Sequence, residues 1–219
     1  MYKACIFDLD GTLTDTLSSI SYFANRALEK YGLKAVEKEK YKIMVGNGAK
    51  NLVRRMLKEN NCEDEEVYLK VLDEYNSTYD NDFTYLTSVY DGVKELLSFL
   101  KSNGLKLAVV SNKPHSTTVQ IVDHFFPEGT FDIVYGQREN VPIKPDPAAV
   151  LDVMESFGVL PEECIYAGDT GTDMKTGKNA GAFTVGVTWG FRQEKELREN
   201  GADIVINHPD ELINYIKNA

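Results

Sequence analysis

The stretch "CIFDLDGTLTDT" occupies residues 5–16. A short apolar run, Cys5-Ile6-Phe7, has the composition of a buried β-strand. It ends on two aspartates, Asp8 and Asp10, separated by one leucine and followed at once by Gly11 and Thr12. At an extended strand end, residues two apart point to the same side, so both carboxylates face one place. Taken alone, the pair also fits a turn, because aspartate caps local backbone well. A calcium loop of the EF-hand kind starting at Asp8 fails, since Leu13 stands where its glycine must sit.

Outward from this strand, short β-rich runs alternate with segments of helical period. Strands are expected at Lys3–Phe7, Lys106–Val110, Phe131–Tyr135, Cys164–Ala167, Phe183–Val187 and Asp203–Ile206. Helices between them include Gly92–Ser102 and Pro147–Phe157, the latter with Asp146 as N-cap, Pro147 at the first helical position and Gly158 beyond the end. Strands apolar throughout, with helices between, predict a parallel sheet covered on both faces. The expected class is therefore α/β, a doubly wound, Rossmann-like sheet. The alternation breaks between about Asp15 and Tyr85, where only helices are legible: Ser18–Tyr31, Glu37–Asn60 with a break at Gly46 and Gly48, and Glu65–Tyr79. The expected division is a core of residues 1–14 and 86–219, with an inserted helical domain of residues 15–85.

In open parallel sheets, ligands bind beyond the carboxyl ends of the strands. The residues just past each strand are therefore informative. Asp8 and Asp10 come after the first, Ser111, Asn112 and Lys113 after the second. Lys144 lies in "IKPDP" after the third, and Asp169 and Asp173 lie in "GDTGTD" after the fourth. Each group has a plainer reading: a helix start for the later acids, an N-cap for Ser111 and Asn112, a surface charge for Lys144. "GTDMKTGKN" is not a phosphate loop, because five residues separate its glycines and asparagine follows the lysine. Together, however, three or four acids facing one point repel unless a hard cation neutralises them, and oxygen ligands suit Mg²⁺. The lysine and hydroxyl suit an anion with several oxygens. Phosphate beside Mg²⁺ meets both demands.

Composition limits the alternatives. The formal net charge of −10 argues against a nucleic-acid partner, which calls for clustered lysine and arginine. No apolar stretch approaches the roughly 20 residues of a membrane helix. The N-terminus lacks a basic region followed by an apolar core, so a cytoplasmic location is expected. Three cysteines, Cys5, Cys62 and Cys164, are far apart and give neither a disulfide framework nor a zinc site.

"DLDGTLTD", "VVSNK", "IKPDP" and "GDTGTDM", in this order and spacing, resemble the four motifs of the haloacid dehalogenase superfamily of phosphatases. The resemblance spans essentially the whole chain, including an α-helical cap inserted after the first motif. It implies that Asp8 is the nucleophile, forming an aspartyl-phosphate, and that Asp10 is first general acid and then base. It further implies Mg²⁺ held by Asp8, the main-chain carbonyl of Asp10 and Asp169. Ser111 and Lys144 would hold phosphoryl oxygens, with Gly11 and Asn112 beside the phosphate, and Asp173 would orient Lys144 or the metal's waters. Dehalogenases of the superfamily lack the second aspartate. The β-phosphoglucomutases carry a histidine where this chain has Ile20 and an arginine where it has Ala49. Hydrolysis is the expected outcome.

For the substrate, "VGNGAKNLVRRML" (45–57) and "WGFRQEKELRENGADIVINHPDEL" (189–212) resemble phosphoglycolate phosphatases. The expectation is a small phosphoester, 2-phosphoglycolate first, with Asn47 and Lys50 binding its carboxylate. Pyrophosphatases, nucleotide phosphatases and sugar-phosphate phosphatases of the same family are the alternatives. A phospho-acceptor switch that never turns over is the reading from another class. It needs neither Asp10 nor a cap. Beyond its substrate no partner is expected: no nucleic acid, no membrane, and a monomer or homodimer.

Overall fold

Ala4–Phe7 form β1, whose four residues are all buried. Parallel pairing on both flanks requires side chains that are apolar on either face. The remaining strands of the computed structural model, which describes residues 1–218, are β2 (Thr14–Asp15), β3 (Ser88–Val89), β4 (Lys106–Pro114), β5 (Ile133–Gln137), β6 (Cys164–Gly168), β7 (Phe183–Val187) and β8 (Ile204–Ile206). Six of them make one sheet in the order β5-β4-β1-β6-β7-β8, with every adjacent pair parallel. The chain builds from β1 through β4 to β5, crosses back to β6, and continues outward to β8. That reversal beside β1 is the topological switch point where such sheets open a crevice.

The described chain divides into two units. One comprises Met1–Asp15 and the chain from Val89 onward, and the other is Thr16–Ser88. In the second unit lie α1 (Leu17–Lys30), α2 (Lys38–Met44), α3 (Ala49–Glu59) and α4 (Glu65–Asn81). Along α1, Ile20, Phe23, Ala24, Ala27 and Leu28 form its buried stripe. Asn25 ties α1 to the following loop: its side-chain oxygen accepts from Val36 N (2.8 Å) and Tyr41 Oη (2.7 Å), and its nitrogen donates to Val36 O (2.9 Å). Gly46 and Gly48, both at positive φ, separate α2 from α3. The Asp64 carboxylate caps α4 by accepting from Glu66 N and Val67 N.

In the first unit, α5 (Val93–Ser102), α6 (His115–Phe125), α7 (Ala148–Phe157), α8 (Gly171–Asn179), α9 (Glu194–Glu199) and α10 (Pro209–Lys217) flank the sheet. Alternate strand residues Ala4, Ile6, Ala108, Val110, Cys164 and Tyr166 meet Val150, Val153, Met154 and Phe157 of α7 in a buried cluster. Full burial of each large aliphatic side chain there contributes about 1.5–3 kcal/mol. On the opposite face, Tyr215 of α10 stacks on Phe183 with ring centroids 5.2 Å apart. Among the described residues, no helix is long and apolar enough to cross a membrane.

Two local expectations are corrected. The N-cap of α7 is Pro147 rather than Asp146, and the Asp146 carboxylate accepts from Ala148 N at 2.9 Å, just ahead of the first turn. Ser111 and Asn112 do not cap a helix. They continue β4, which runs to Pro114 with an irregular register after Val110.

Candidate active site

The carboxyl ends of β1, β4 and β6 bring the motif residues of the core together. Asp8 directly follows β1, and its main-chain N–H donates to Ala167 O of β6 at 2.9 Å, which anchors the strand end. Beyond it the chain turns tightly: Leu13 N and Thr14 N both donate to Leu9 O, and Gly11 N to Thr14 O. Gly11 sits at φ +86°, and a Cβ there would lie 2.4 Å from Asp169 Oδ2. Glycine is required on both counts, backbone and space.

Beyond β6 stands Asp169, fully buried. Its carboxylate accepts from Thr12 Oγ1 (3.3 Å) and from Phe191 N (2.7 Å). Thr170 then caps α8, and Asp173 completes a reciprocal capping box. The Thr170 hydroxyl donates to Asp173 Oδ2 at 2.6 Å. The helix start therefore fixes Asp173 so that its other oxygen, Oδ1, faces Lys144.

Lys144 is 3% exposed, and its ammonium lies 2.8 Å from Asp8 Oδ1, 2.7 Å from Asp173 Oδ1, 3.1 Å from Tyr166 Oη and 3.1 Å from Val110 O. Asn112 holds the Lys144 backbone from both sides: its oxygen accepts from Lys144 N (2.9 Å) and its nitrogen donates to Lys144 O (3.2 Å). In this structure the carboxamide thus positions the lysine's loop. Ser111, also buried, accepts from Lys113 N at 3.2 Å. A second buried ammonium, Lys113 Nζ, donates to Asp10 Oδ2 at 2.9 Å.

Burial decides the electrostatics. It pushes the Asp8 carboxyl up to about 7; Asp173 and Asp10 push the same way, and Lys144 pulls against them. Asp169 is raised well above the carboxylate range by burial, then by Asp173 and Asp8. Burial pulls Lys144 down, but Asp173 and Asp8 outweigh it and hold the ammonium charged. One ligand oxygen from each of Asp8, Asp169 and Asp173 lies within 4.8 Å of the others. Four carboxylates, counting Asp10, face two buried ammonium groups. Arg192 also pulls Asp169 down, but its Nε is 3.4 Å from Glu196, which offsets its charge. The deficit is two positive charges, supplied either by protons or by one divalent cation. The donor set is all oxygen, and such a set suits a hard cation.

Asn47 and Lys50 belong to the second unit. The Asn47 oxygen accepts from Arg55 Nη2 at 2.8 Å, and Lys50 is exposed near the start of α3. Sequence spacing alone assigns no role to Lys113, Tyr166, Thr12, Thr170 or the segment around Trp189, whose indole N–H donates to Thr12 O at 3.0 Å. Lys113 does stand inside "VVSNK". Tyr166 is signalled only by being a polar-tipped residue in an otherwise apolar central strand.

Residues 5–187 match the family model described as haloacid dehalogenase-like hydrolase. The chain is 32% identical over 216 residues to a phosphoglycolate phosphatase of Aquifex aeolicus (strain VF5), covering 99% of this chain and 97% of that protein. It is 31% identical over 220 residues to a phosphoglycolate phosphatase of Haemophilus influenzae, covering 98% of each. Among solved structures, one described as a predicted phosphoglycolate phosphatase from Haemophilus somnus 129Pt superposes with a TM-score of 0.92 at 27% identity, covering 98% of each chain. A β-phosphoglucomutase from Clostridium difficile superposes with a TM-score of 0.81 at 24% identity over 100% of this chain and 96% of that one, a likeness of fold. Motif geometry, whole-chain similarity and fold agree: the chain belongs to the haloacid dehalogenase-like hydrolase family.

Proposed function

We propose that this chain is a Mg²⁺-dependent phosphatase that hydrolyses a small phosphomonoester, 2-phosphoglycolate, through a phosphoryl group carried on Asp8. The observation that carries the reading is the pair of acids two residues apart, each held by its own buried lysine: Asp8 by Lys144 and Asp10 by Lys113. A phospho-acceptor alone needs only the first.

In this mechanism an Asp8 carboxylate oxygen attacks phosphorus, forming an acyl phosphate and expelling the alkoxide. Asp10 donates a proton to that alkoxide. It then takes a proton from a water whose oxygen attacks phosphorus, releasing phosphate and restoring Asp8. Lys144 holds Asp8 in place and offsets the charge brought up by the phosphoryl group. The Ser111 hydroxyl and the main chain after Asp10 contribute donors to the phosphoryl oxygens. Asp8, Asp169 and the main-chain carbonyl of Asp10 would hold Mg²⁺, with Asp173 oriented beside them. When bound, the ion supplies charge neutralisation between the carboxylate and the phosphate dianion. The Thr16–Ser88 unit acts as the cap, and its Asn47 and Lys50 select a small carboxylate on the leaving alcohol.

Relatives named phosphoglycolate phosphatase support the substrate. Phosphate release from 2-phosphoglycolate, other small phosphoesters and pyrophosphate, with Mg²⁺ and with chelator, tests the whole reading. A strong preference for 2-phosphoglycolate, abolished by chelation and by Asp8→Asn, is expected. Even release across the panel removes the substrate assignment, and equal release by Asp8→Asn removes the mechanism.

A further inference from the structure

Asp10 is unevenly partnered. Its Oδ2 accepts from Lys113 Nζ at 2.9 Å, and that pair is nearly sealed, with the side chains 13% and 7% exposed. Its Oδ1 is buried and has no hydrogen-bond partner among the described residues. A buried carboxylate oxygen left unpaired is costly, and such a group persists where function requires it. Lys113 is itself held firmly. It lies on the irregular end of β4, its main-chain N–H donates to Ser111 Oγ at 3.2 Å, and its carbonyl accepts from Thr118 Oγ1 of α6 at 3.3 Å. Behind it, Gly136 of β5 leaves no room for a side chain: a Cβ there would lie 2.6 Å from Lys113 O and 2.4 Å from Thr118 Oγ1. The strand backbone that carries the lysine is thus braced by two neighbouring elements.

We propose that Lys113 is a positioning residue that clamps one oxygen of Asp10 and so leaves the other, Oδ1, as the single atom through which protons pass to the leaving group and from the attacking water. A carboxylate that could rotate freely would offer either oxygen in many orientations. One held at Oδ2 by a braced ammonium offers one oxygen in one orientation. General acid–base transfer depends on that placement, since it needs approach to within hydrogen-bond distance of the reacting oxygen. The inference rests on the reading of Asp10 as acid and base. It adds a residue that touches neither the metal carboxylates nor, in this account, the substrate.

The test compares two substrates that differ in their need for a proton. Loss of the glycolate alkoxide from 2-phosphoglycolate requires protonation, whereas p-nitrophenolate departs without it. The readout is the ratio of kcat/KM for the two, which reports steps up to transfer onto Asp8. Asp10→Asn should lower the ratio about 100-fold or more. Lys113→Gln should lower it at least tenfold while p-nitrophenyl phosphate changes little. A Lys113→Gln protein that loses both substrates equally overturns the proposal, because a lysine that merely supports the fold or binds phosphate would do that. Lys113→Gln leaves Asp10 buried without its cation and can fail to fold. The double variant Asp10→Asn, Lys113→Gln has neither charge and supplies the second measurement. If Lys113 acts through Asp10, the double variant matches Asp10→Asn on both substrates within about threefold, as a closed double-mutant cycle demands. A further tenfold loss in the double variant overturns the proposal. Asp8→Asn is run alongside: residual turnover there means that the phosphatase mechanism itself has failed, whatever Lys113 does.

Discussion

Asp8 is held between an ammonium and two further carboxylates where water scarcely reaches, and burial raises its carboxyl to about 7. In the metal-free protein the proton and a divalent cation therefore compete for the same oxygen. A carboxyl raised in the folded state destabilises the metal-free fold as pH climbs from the unfolded value of about 4 towards 7, and cation binding relieves that cost. Mg²⁺ affinity should accordingly rise about tenfold between pH 6 and pH 8, with proton release on binding. The lone tryptophan of the chain supplies a readout independent of turnover. Trp189 donates to Thr12 O, and the Thr12 hydroxyl donates to Asp169, so its fluorescence should follow the cation. An affinity flat across that pH range would contradict this account of Asp8. Asp8 and Asp169 were legible in the sequence because an acid directly after an apolar strand stands out. Lys113 and Tyr166 were not, because their roles come from distances across strands that no spacing records.

At the scale of elements, the site depends on how closely α8 lies against the sheet. Gly177 in that helix sits where a Cβ would be 2.7 Å from Thr184 Oγ1, 3.1 Å from its Cγ2 and 3.2 Å from Tyr166 Cβ. Two effects oppose each other in Gly177→Ala. Helix propensity favours alanine by about 1 kcal/mol, while overpacking a buried contact costs about 1–3 kcal/mol. Thr184 is fully buried and its hydroxyl is held by donating to Ala182 O at 3.1 Å, so overpacking wins. Urea melts should show a net loss of up to about 2 kcal/mol together with weaker Mg²⁺ binding, because α8 carries Asp173. A stabilised variant would show that the helix can lift without penalty. The six strands of the main sheet were legible because each is an apolar run ending in a turn or a polar group, whereas the two-residue β2 and β3 carry no such run. The helices α6 and α9 were not. The first opens His115-Ser116-Thr117-Thr118, poor helix formers, and the second has six residues, too few for a period to show. Packing against the sheet, not local propensity, makes both.

On the scale of the whole molecule, the chain leaves the sheet after its first strand, builds a helical unit from Thr16 to Ser88, and returns to complete the sheet. That insertion was visible as a break in the alternation of strands and helices, and the glycines at 46 and 48 marked its internal break. The substrate proposed for Asn47 and Lys50 was not fixed by the sequence, since small residues beside a lysine are compatible with many alcohols. With a net charge of −10 over the chain, Lys144 and a bound cation would be the local exception that admits an anionic ligand. The proposed mechanism requires Asp8 to carry the phosphoryl group. Acid quench of the enzyme during turnover of 2-phosphoglycolate, followed by borohydride reduction and peptide mass spectrometry, tests it directly. Conversion of residue 8 to homoserine within the tryptic peptide Ala4–Arg26 is expected, with no conversion in Asp8→Asn. Steady turnover with Asp8 unmodified, or modification at another carboxylate, would contradict it.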